Sequence, residues 1–433
     1  MKSLITSLAA FCLVVGLSSD AQARNVNLDA LLGELVEKHD RIKASEAQLQ
    51  SVVHQHKSAK GAWLPQVSLT VEGGRESISR PSEMGTQKTR NESNLSATQL
   101  IYDFGGVSGT VDSTASQIDE FEALLLQTKQ EIVSLGINAY LRVIRSRELV
   151  KYAKRSEASM VELSGMQETL VERGAGYSYE ELQVKAQLAG AQSFRVTQER
   201  ELQISLNNFK AVFEFVPTPL EVDRMSVVPV PSKHFPGNVE DAVGVAFNNN
   251  PLLLETTHAV SRLQGNLRTQ RATFYPQFDA VLEAERKEND QGTGGVRAEQ
   301  RATIQMSYDI YTGKQDTENV NSVRSEITSA KRTLLDRRRT VEEGVRNAWL
   351  ELTTLRTNSE LLQNQADITF EFLGLVKKKK ATGEEVRLLD ILVGERDYIQ
   401  AISAKVVTDI DIVIAGYNLL FEMGLITKDI TRQ

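Results

Sequence analysis

The chain reads as one segment written twice, and that duplication constrains its fold more than any other feature. HDRIKASEAQLQSVVHQHKSAKGAWLPQVSLTVEGGRES runs from His39 to Ser77, and NPLLLETTHAVSRLQGNLRTQRATFYPQFDAVLEAERKE runs from Asn250 to Glu288. At a separation of about 210 residues, Pro65 answers Pro276, Gln66 answers Gln277 and His39-Asp40 answers Asn250-Pro251. Further on, Tyr102 answers Tyr311, while Glu180 and Leu182 answer Asp390 and Leu392. Each half has the same order: helix, Pro-Gln, alternating segment, polar loop, alternating segment, two long helices. A chance match gives one such pair, not an ordered series.

Proline positions divide the halves. Five of the nine prolines fall between Pro217 and Pro236, which predicts an extended linker over 217–238. Residues 82–216 and 277–433 hold none, so long helices are permitted there. The predicted organisation is a leader over 1–23, a first repeat over 24–216, the linker, and a second repeat over 239–433.

The alternating segments predict strands at about 66–76, 93–103, 277–287 and 299–310. Val67, Leu69 and Val71 alternate with Ser68, Thr70 and Glu72; Phe278, Ala280, Leu282 and Ala284 alternate with Asp279, Val281, Glu283 and Glu285. Ala302, Ile304, Met306 and Tyr308 continue the pattern, while Gln99 interrupts it in the second strand. Runs of about ten residues suit a tilted transmembrane strand with one face to lipid and one to water. Tyr102, Tyr308 and Tyr311 would lie in an interfacial aromatic belt. Residues 77–92 and 289–297 read as polar loops. Alternation alone favours a half-buried soluble sheet.

Long helices are predicted from Val107 to about Thr169, Tyr179 to Phe215, Lys314 to about Lys380, and Glu385 to Phe421, with breaks at Gly174, Gly176 and Gly383. Ile118, Phe121, Leu125, Thr128, Ile132, Leu135 and Ala139 follow coiled-coil spacing. Ala401, Ala404, Ala415 and Gly416 would let neighbouring helices approach closely. A helix of about 60 residues is about 90 Å long, which suits a rod or tube.

The N-terminus reads as an export signal: Lys2, an apolar run from Leu4 to Leu17, and the small-x-small site Ala21-Gln22-Ala23 before Arg24. The single cysteine, Cys12, lies inside that run, which excludes a disulfide framework or a Cys-rich metal site. No later stretch reaches 18 consecutive apolar residues, so membrane entry of the mature chain requires a β-barrel. A net charge of −7 argues against a nucleic-acid binder. His39, His54, His56, His234 and His258 form no ligand motif, and HExxH, P-loop lysine and GxSxG patterns are missing. Gly105–Gly109 (GGVSG) lacks the Lys-Ser/Thr of a phosphate loop. The expectation is a non-enzyme with no cofactor or metal, whose transport energy comes from a partner.

Four strands make an open sheet whose edges cannot face lipid, so several chains must share one barrel. Two chains would give an eight-stranded barrel filled by side chains; three would give twelve strands and room for a lumen. The competing picture is a non-pore periplasmic coiled-coil scaffold.

With LPQVSL and YPQFDA where strands begin (Pro65, Pro276), IYDFGG and YDIYTGK where they end, and ERGAGYSYEELQVKAQ and KATGEEVRLLDIL at the helix turns, the whole mature chain resembles the TolC family of outer-membrane channels. The resemblance implies a membrane α+β fold: a homotrimeric twelve-stranded barrel, four strands per chain, continued by a long helical periplasmic tunnel. It implies an outer-membrane location in contact with lipid, a periplasmic adaptor, and an inner-membrane transporter of ABC type that hands over exported cargo. The IYDFGG form looks most like type I secretion members, including exporters of large adhesins; small-molecule efflux is the alternative on the same fold.

The resemblance also places a gate at the helix-turn tip, around Gly174 and Gly383. Asp390 matches a ring aspartate, Glu180 the acidic partner on the other hairpin, and Arg387 a basic latch. Val393 stands where the family has a second acid. Gly383 lies one residue further from Asp390 than in the family pattern, and one inserted residue turns a helix face by about 100°. The Lys377–Lys380 run reads either as a solvated helix end or as an adaptor or cargo contact.

Overall fold

A computed structural model describes residues 26–81, 83–231, 233, 235–383 and 386–432. The predicted leader, with Cys12 and the site before Arg24, lies outside the described residues, as do His234 and Glu385.

The duplication is visible in element lengths. Helices α1 (Leu28–Lys38) and α6 (Val239–Asn249) have 11 residues each, and α2 (Asp40–Gly61) and α7 (Pro251–Ala272) have 22 each. Helices α3 (Gly106–Glu172) and α8 (Gln315–Ala381) have 67 each, a rise of about 100 Å. The returning helices α4 (Ser178–Phe213) and α9 (Leu388–Glu422) have 36 and 35. His39 and Asn250 occupy the same joint in the two halves. Each ends one helix and caps the next: Arg41 N donates to His39 Nδ1 at 3.1 Å, and Leu252 N to Asn250 Oδ1 at 3.0 Å.

Strands β1 (Gln66–Arg80), β2 (Glu83–Tyr102), β3 (Gln277–Glu288) and β4 (Val296–Ser307) form one antiparallel sheet in the order β1-β2-β3-β4. The sequence reading of 77–92 as a loop is corrected. Arg75 opposes Thr89 and Ile78 opposes Thr86, so the hairpin continues well past the end of β3, where Asn91 opposes Glu288. The polar residues Glu76, Lys88 and Gln87 hid this extension, because backbone pairing needs no apolar face. Val296 and Arg297, read as loop, begin β4.

Strands turn into helices alike in both halves. Phe104 and Gly105 have φ of 54° and 105°, and Gly313 and Lys314 have 66° and 69°. Two successive left-handed residues reverse the chain at matched positions, although glycine supplies only one of each pair.

The linker is not simply extended. Pro219–Arg224 forms a short helix, α5, opened by a capping box between Thr218 and Glu221. The rest is strapped to the long helices α3 and α9. Tyr140 Oη donates to Ser226 O and Tyr417 Oη to Pro229 O, both at 3.2 Å, and Arg147 Nη1 donates to Val222 O at 2.6 Å. Side chains from α1, α3, α4, α6, α8 and α9 join this segment in one buried belt.

The stripe read on α3 holds in part. Ile132 and Ala139 are buried, but Leu135 is 47% exposed, because α3 is gripped at once by α2, α4, α7 and α9 rather than by one partner. The α3–α7 crossing is tight: a Cβ on Gly109 would lie 2.7 Å from Thr269 N, and one on Gly265 2.6 Å from Ser113 N. Among the described residues no helix is long and apolar enough to cross a membrane.

Candidate functional site

The sheet has two chemically distinct faces. Directly opposed residues share a face, so the register aligns Val67, Ala97, Leu282 and Ala302 in one row and Leu69, Leu95 and Ala284 in the next. Val67, Leu69 and Val71 are 67–68% exposed and Ile304 is 75% exposed. A half-buried soluble sheet would cover this face with helices; here it is bare within the chain, as a lipid-facing surface must be. The opposite face aligns Ser68, Ser96, Glu283 and Arg301, then Glu72, Glu92, Lys287 and Arg297. Its charges pair along and between strands: Lys287 meets Glu285 on its own strand at 2.6 Å and Glu92 on β2 at 3.5 Å, and Arg301 meets Glu299 on its own strand at 3.0 Å.

The second constellation is the helix-turn tip. Gly174 (φ 72°) ends α3 in a Schellman motif, with Ala175 N donating to Leu170 O and Gly174 N to Val171 O. Gly383 (φ 80°) holds the matching place after α8. Glu180 and Asp390 are each the third residue of the returning helix. Asp390 therefore keeps the helical position of Glu180 instead of being rotated away. Both acids lie in the first turn, where the helix dipole favours them.

Their partners differ. Gln167, buried on α3, donates from Nε2 to Glu180 Oε2 at 3.0 Å. Arg387 donates to Asp390 from Nη2 at 2.9 Å and from Nε at 3.2 Å. Among the described residues of one chain, the structure brings Arg387 to Asp390 and does not pair Glu180 with either. Val393 is half-buried, and Gly394 beside it packs on Phe372.

Sequence reasoning missed the charge that is buried here. Glu395 on α9 is 4% exposed and receives Lys377 Nζ at 2.9 Å, so one lysine of the four-lysine run is an interhelical tie. The spacing of Lys377 and Glu395 about an antiparallel turn was the available signal. Also unforeseen are Tyr177 and Tyr179, which stack at 5.5 Å on the exposed rim of the turn. An apolar cluster of Met160, Leu163, Val184, Leu373, Leu388, Ile391 and Leu392 joins the two hairpins near the helix-turn tip.

Higher on the tunnel helices, Arg145 Nε lies 3.1 Å from Asp411 Oδ1. Burial pushes the Asp411 carboxyl above its usual range despite Arg145 beside it.

A β-sheet with a bare apolar face and open edges, joined to paired 67-residue helices, defines a barrel-and-tunnel channel subunit. The chain belongs to the outer membrane efflux protein family, whose model matches residues 31–213 and 242–401, the two stretches flanking the Pro-rich segment. It is 21% identical over 378 residues to the outer membrane efflux protein BepC of Brucella suis biovar 1 (strain 1330), covering 86% of this chain and 79% of that one. Its fold is similar to that of the outer-membrane channel OprN, with a TM-score of 0.81 at 15% identity over 92% of this chain and 89% of that one. The Campylobacter jejuni CmeC outer membrane channel gives 0.79 at 14% identity, over 92% and 86%. The protein is thus an outer-membrane export channel with a periplasmic helical tunnel, and its family and fold are those of ducts rather than enzymes. Three chains complete the barrel with twelve strands, which also satisfies the open edges of β1 and β4.

Proposed function

We propose that this duct serves type I protein secretion, carrying a large exported protein such as an adhesin from an ABC-type inner-membrane transporter and its periplasmic adaptor to the cell exterior. The observation that carries the reading is the segment Ile101–Gly106, the IYDFGG form. The Asp103 carboxylate accepts from Gly105 N at 3.1 Å and Val107 N at 2.5 Å. A Cβ on Gly106 would lie 2.7 Å from Asp103 Oδ2, so the acid and the glycines are needed together. A leader cleaved after Ala23 would deliver the chain to the periplasm, and the tip with Glu180, Arg387 and Asp390 would form its gated entrance.

The description of BepC as an efflux protein favours a second reading, small-molecule efflux. One experiment separates the two. In a strain lacking the gene, type I secretion predicts that a large surface or culture-medium protein disappears while dye and drug accumulation stay at wild-type levels. Accumulation that rises with an unchanged set of exported proteins would overturn the proposal in favour of efflux. Release of the protein in the soluble periplasmic fraction would instead favour the scaffold.

A further inference from the structure

We propose that the β3–β4 loop is a strap that narrows the outer mouth of the barrel. The β1–β2 hairpin projects beyond β3 and β4, and its residues Glu76, Ile78, Lys88 and Arg90 continue the charged, lumen-side face of the sheet. The loop does not stand up beside this hairpin; it lies across that inner face. Gly292 N donates to Glu76 Oε2 at 3.1 Å, Arg90 Nε lies 3.0 Å from Asp290 Oδ1, and Asn289 Nδ2 donates to Thr89 O at 2.9 Å. The fit is close. Gly292 (φ 77°) sits where a Cβ would come 2.5 Å from Thr86 Oγ1, and a Cβ on Gly294 would lie 2.6 Å from Lys88 Nζ. Left-handed Asn289 and Gln291, with φ of 55° and 52°, fold the loop over.

The sheet is shared three ways, so each chain contributes one strap, and all three point inward at the level where cargo leaves. The clasp joins groups on separate hairpins and is exposed at its rim, so it can open by local rupture without disturbing the strand ladder. The inference rests on the duct reading of the barrel.

The test uses the full-length channel in intact cells, with Cys12 replaced by Ala and a reporter thiol at Ser96→Cys, on the inner face below the strap. N-ethylmaleimide and a bulky polymer-linked maleimide are added from outside. The small reagent should react equally in the parent and in Arg90→Ala/Asp290→Ala, while the bulky one should react about tenfold faster in the double variant. Equal reaction of the bulky reagent in both overturns the strap. A second variant guards against poor assembly. The built Gly292 Cβ lies 3.7 Å from Thr86 Cβ, within disulfide reach, so Thr86→Cys/Gly292→Cys should lock the strap when oxidised. In planar bilayers, polymer added on the barrel side should then block current in the reduced but not the oxidised channel. Equal block in both overturns the strap alone, whereas no discrete current in any variant removes the duct reading and the strap with it.

Discussion

Lys377 on α8 reaches the buried carboxylate of Glu395 on α9 at 2.9 Å, tying the two arms of the second hairpin together near the helix-turn tip. The lysine is half exposed, so the pair is worth less than a fully desolvated one. Removing only the cation leaves a buried acceptor without its donor. Lys377→Ala should cost about 1–3 kcal/mol of local stability and speed hydrogen exchange in the first turns of α9. Lys377→Met combined with Glu395→Met should recover most of the loss. A double variant no more protected than the single one would show that the bond is incidental.

At the helix-turn tip, Asp390 is held by Arg387 and Glu180 by Gln167. If these links constrain a closed entrance, replacing Glu180 and Arg387 together should raise single-channel conductance, and Asp390→Asn should weaken preference for cations, because three copies of one acid would line the constriction. Conductance and ion selectivity identical to the parent would remove all three residues from the gate.

Two kinds of glycine should respond differently. No atom lies within 4 Å of a Cβ built on Gly174. Gly174→Ala therefore meets only the left-handed backbone penalty of about 1–2 kcal/mol, and Gly174→Asn less. Gly265→Ala meets Ser113 backbone at 2.6 Å, so α3 and α7 must separate, at about 1–3 kcal/mol or more. Thermal unfolding of the three variants checks the order.

The sequence made the tandem plan legible because Pro65 and Pro276, and Gly174 and Gly383, mark boundaries whose backbone geometry only certain residues tolerate. It did not reveal the projecting hairpin, since Ser77–Gln87 and Glu76–Lys88 pair through backbone groups that leave no hydrophobic period. Asp390 and Glu180 were readable as the start of returning helices. Glu180's partner Gln167 and the tie between Lys377 and Glu395 were not, because Gln167 and Glu395 are polar residues made internal by the packing of antiparallel helices on either side of a turn. Leu135 fitted a seam on paper and is exposed in the fold, because a heptad pattern says that a stripe is apolar and not which neighbour covers it.

Glu422, at the end of α9, is pushed above the usual carboxylate range by burial. A folded-state pKa above the unfolded one means that the native state holds the proton more tightly, so stability falls as pH rises from the ordinary value of about 4.5 through the raised one. Glu422→Gln removes that penalty. The variant should melt higher than the parent at neutral pH, and the two curves should converge below the ordinary carboxylate range. A gap that stays constant with pH would assign the gain to something other than the charge.

The two faces of β3 offer the sharpest test of the barrel, because adjacent residues should tolerate opposite chemistry. Leu282 lies in the apolar row with Ala97 and Ala302, while Glu283 lies in the polar row with Ser96 and Arg301. An arginine on the lipid side near mid-membrane costs about 2–4 kcal/mol, whereas the same side chain in a water-filled lumen keeps its hydration. Leu282→Arg should therefore lower the heat and detergent resistance of the trimer or block its assembly. Glu283→Arg should leave assembly intact and shift ion selectivity toward anions. Reversed sensitivities would mean that the sheet faces lipid with its charged side, which would invert the barrel and with it the inward placement of the β3–β4 loop.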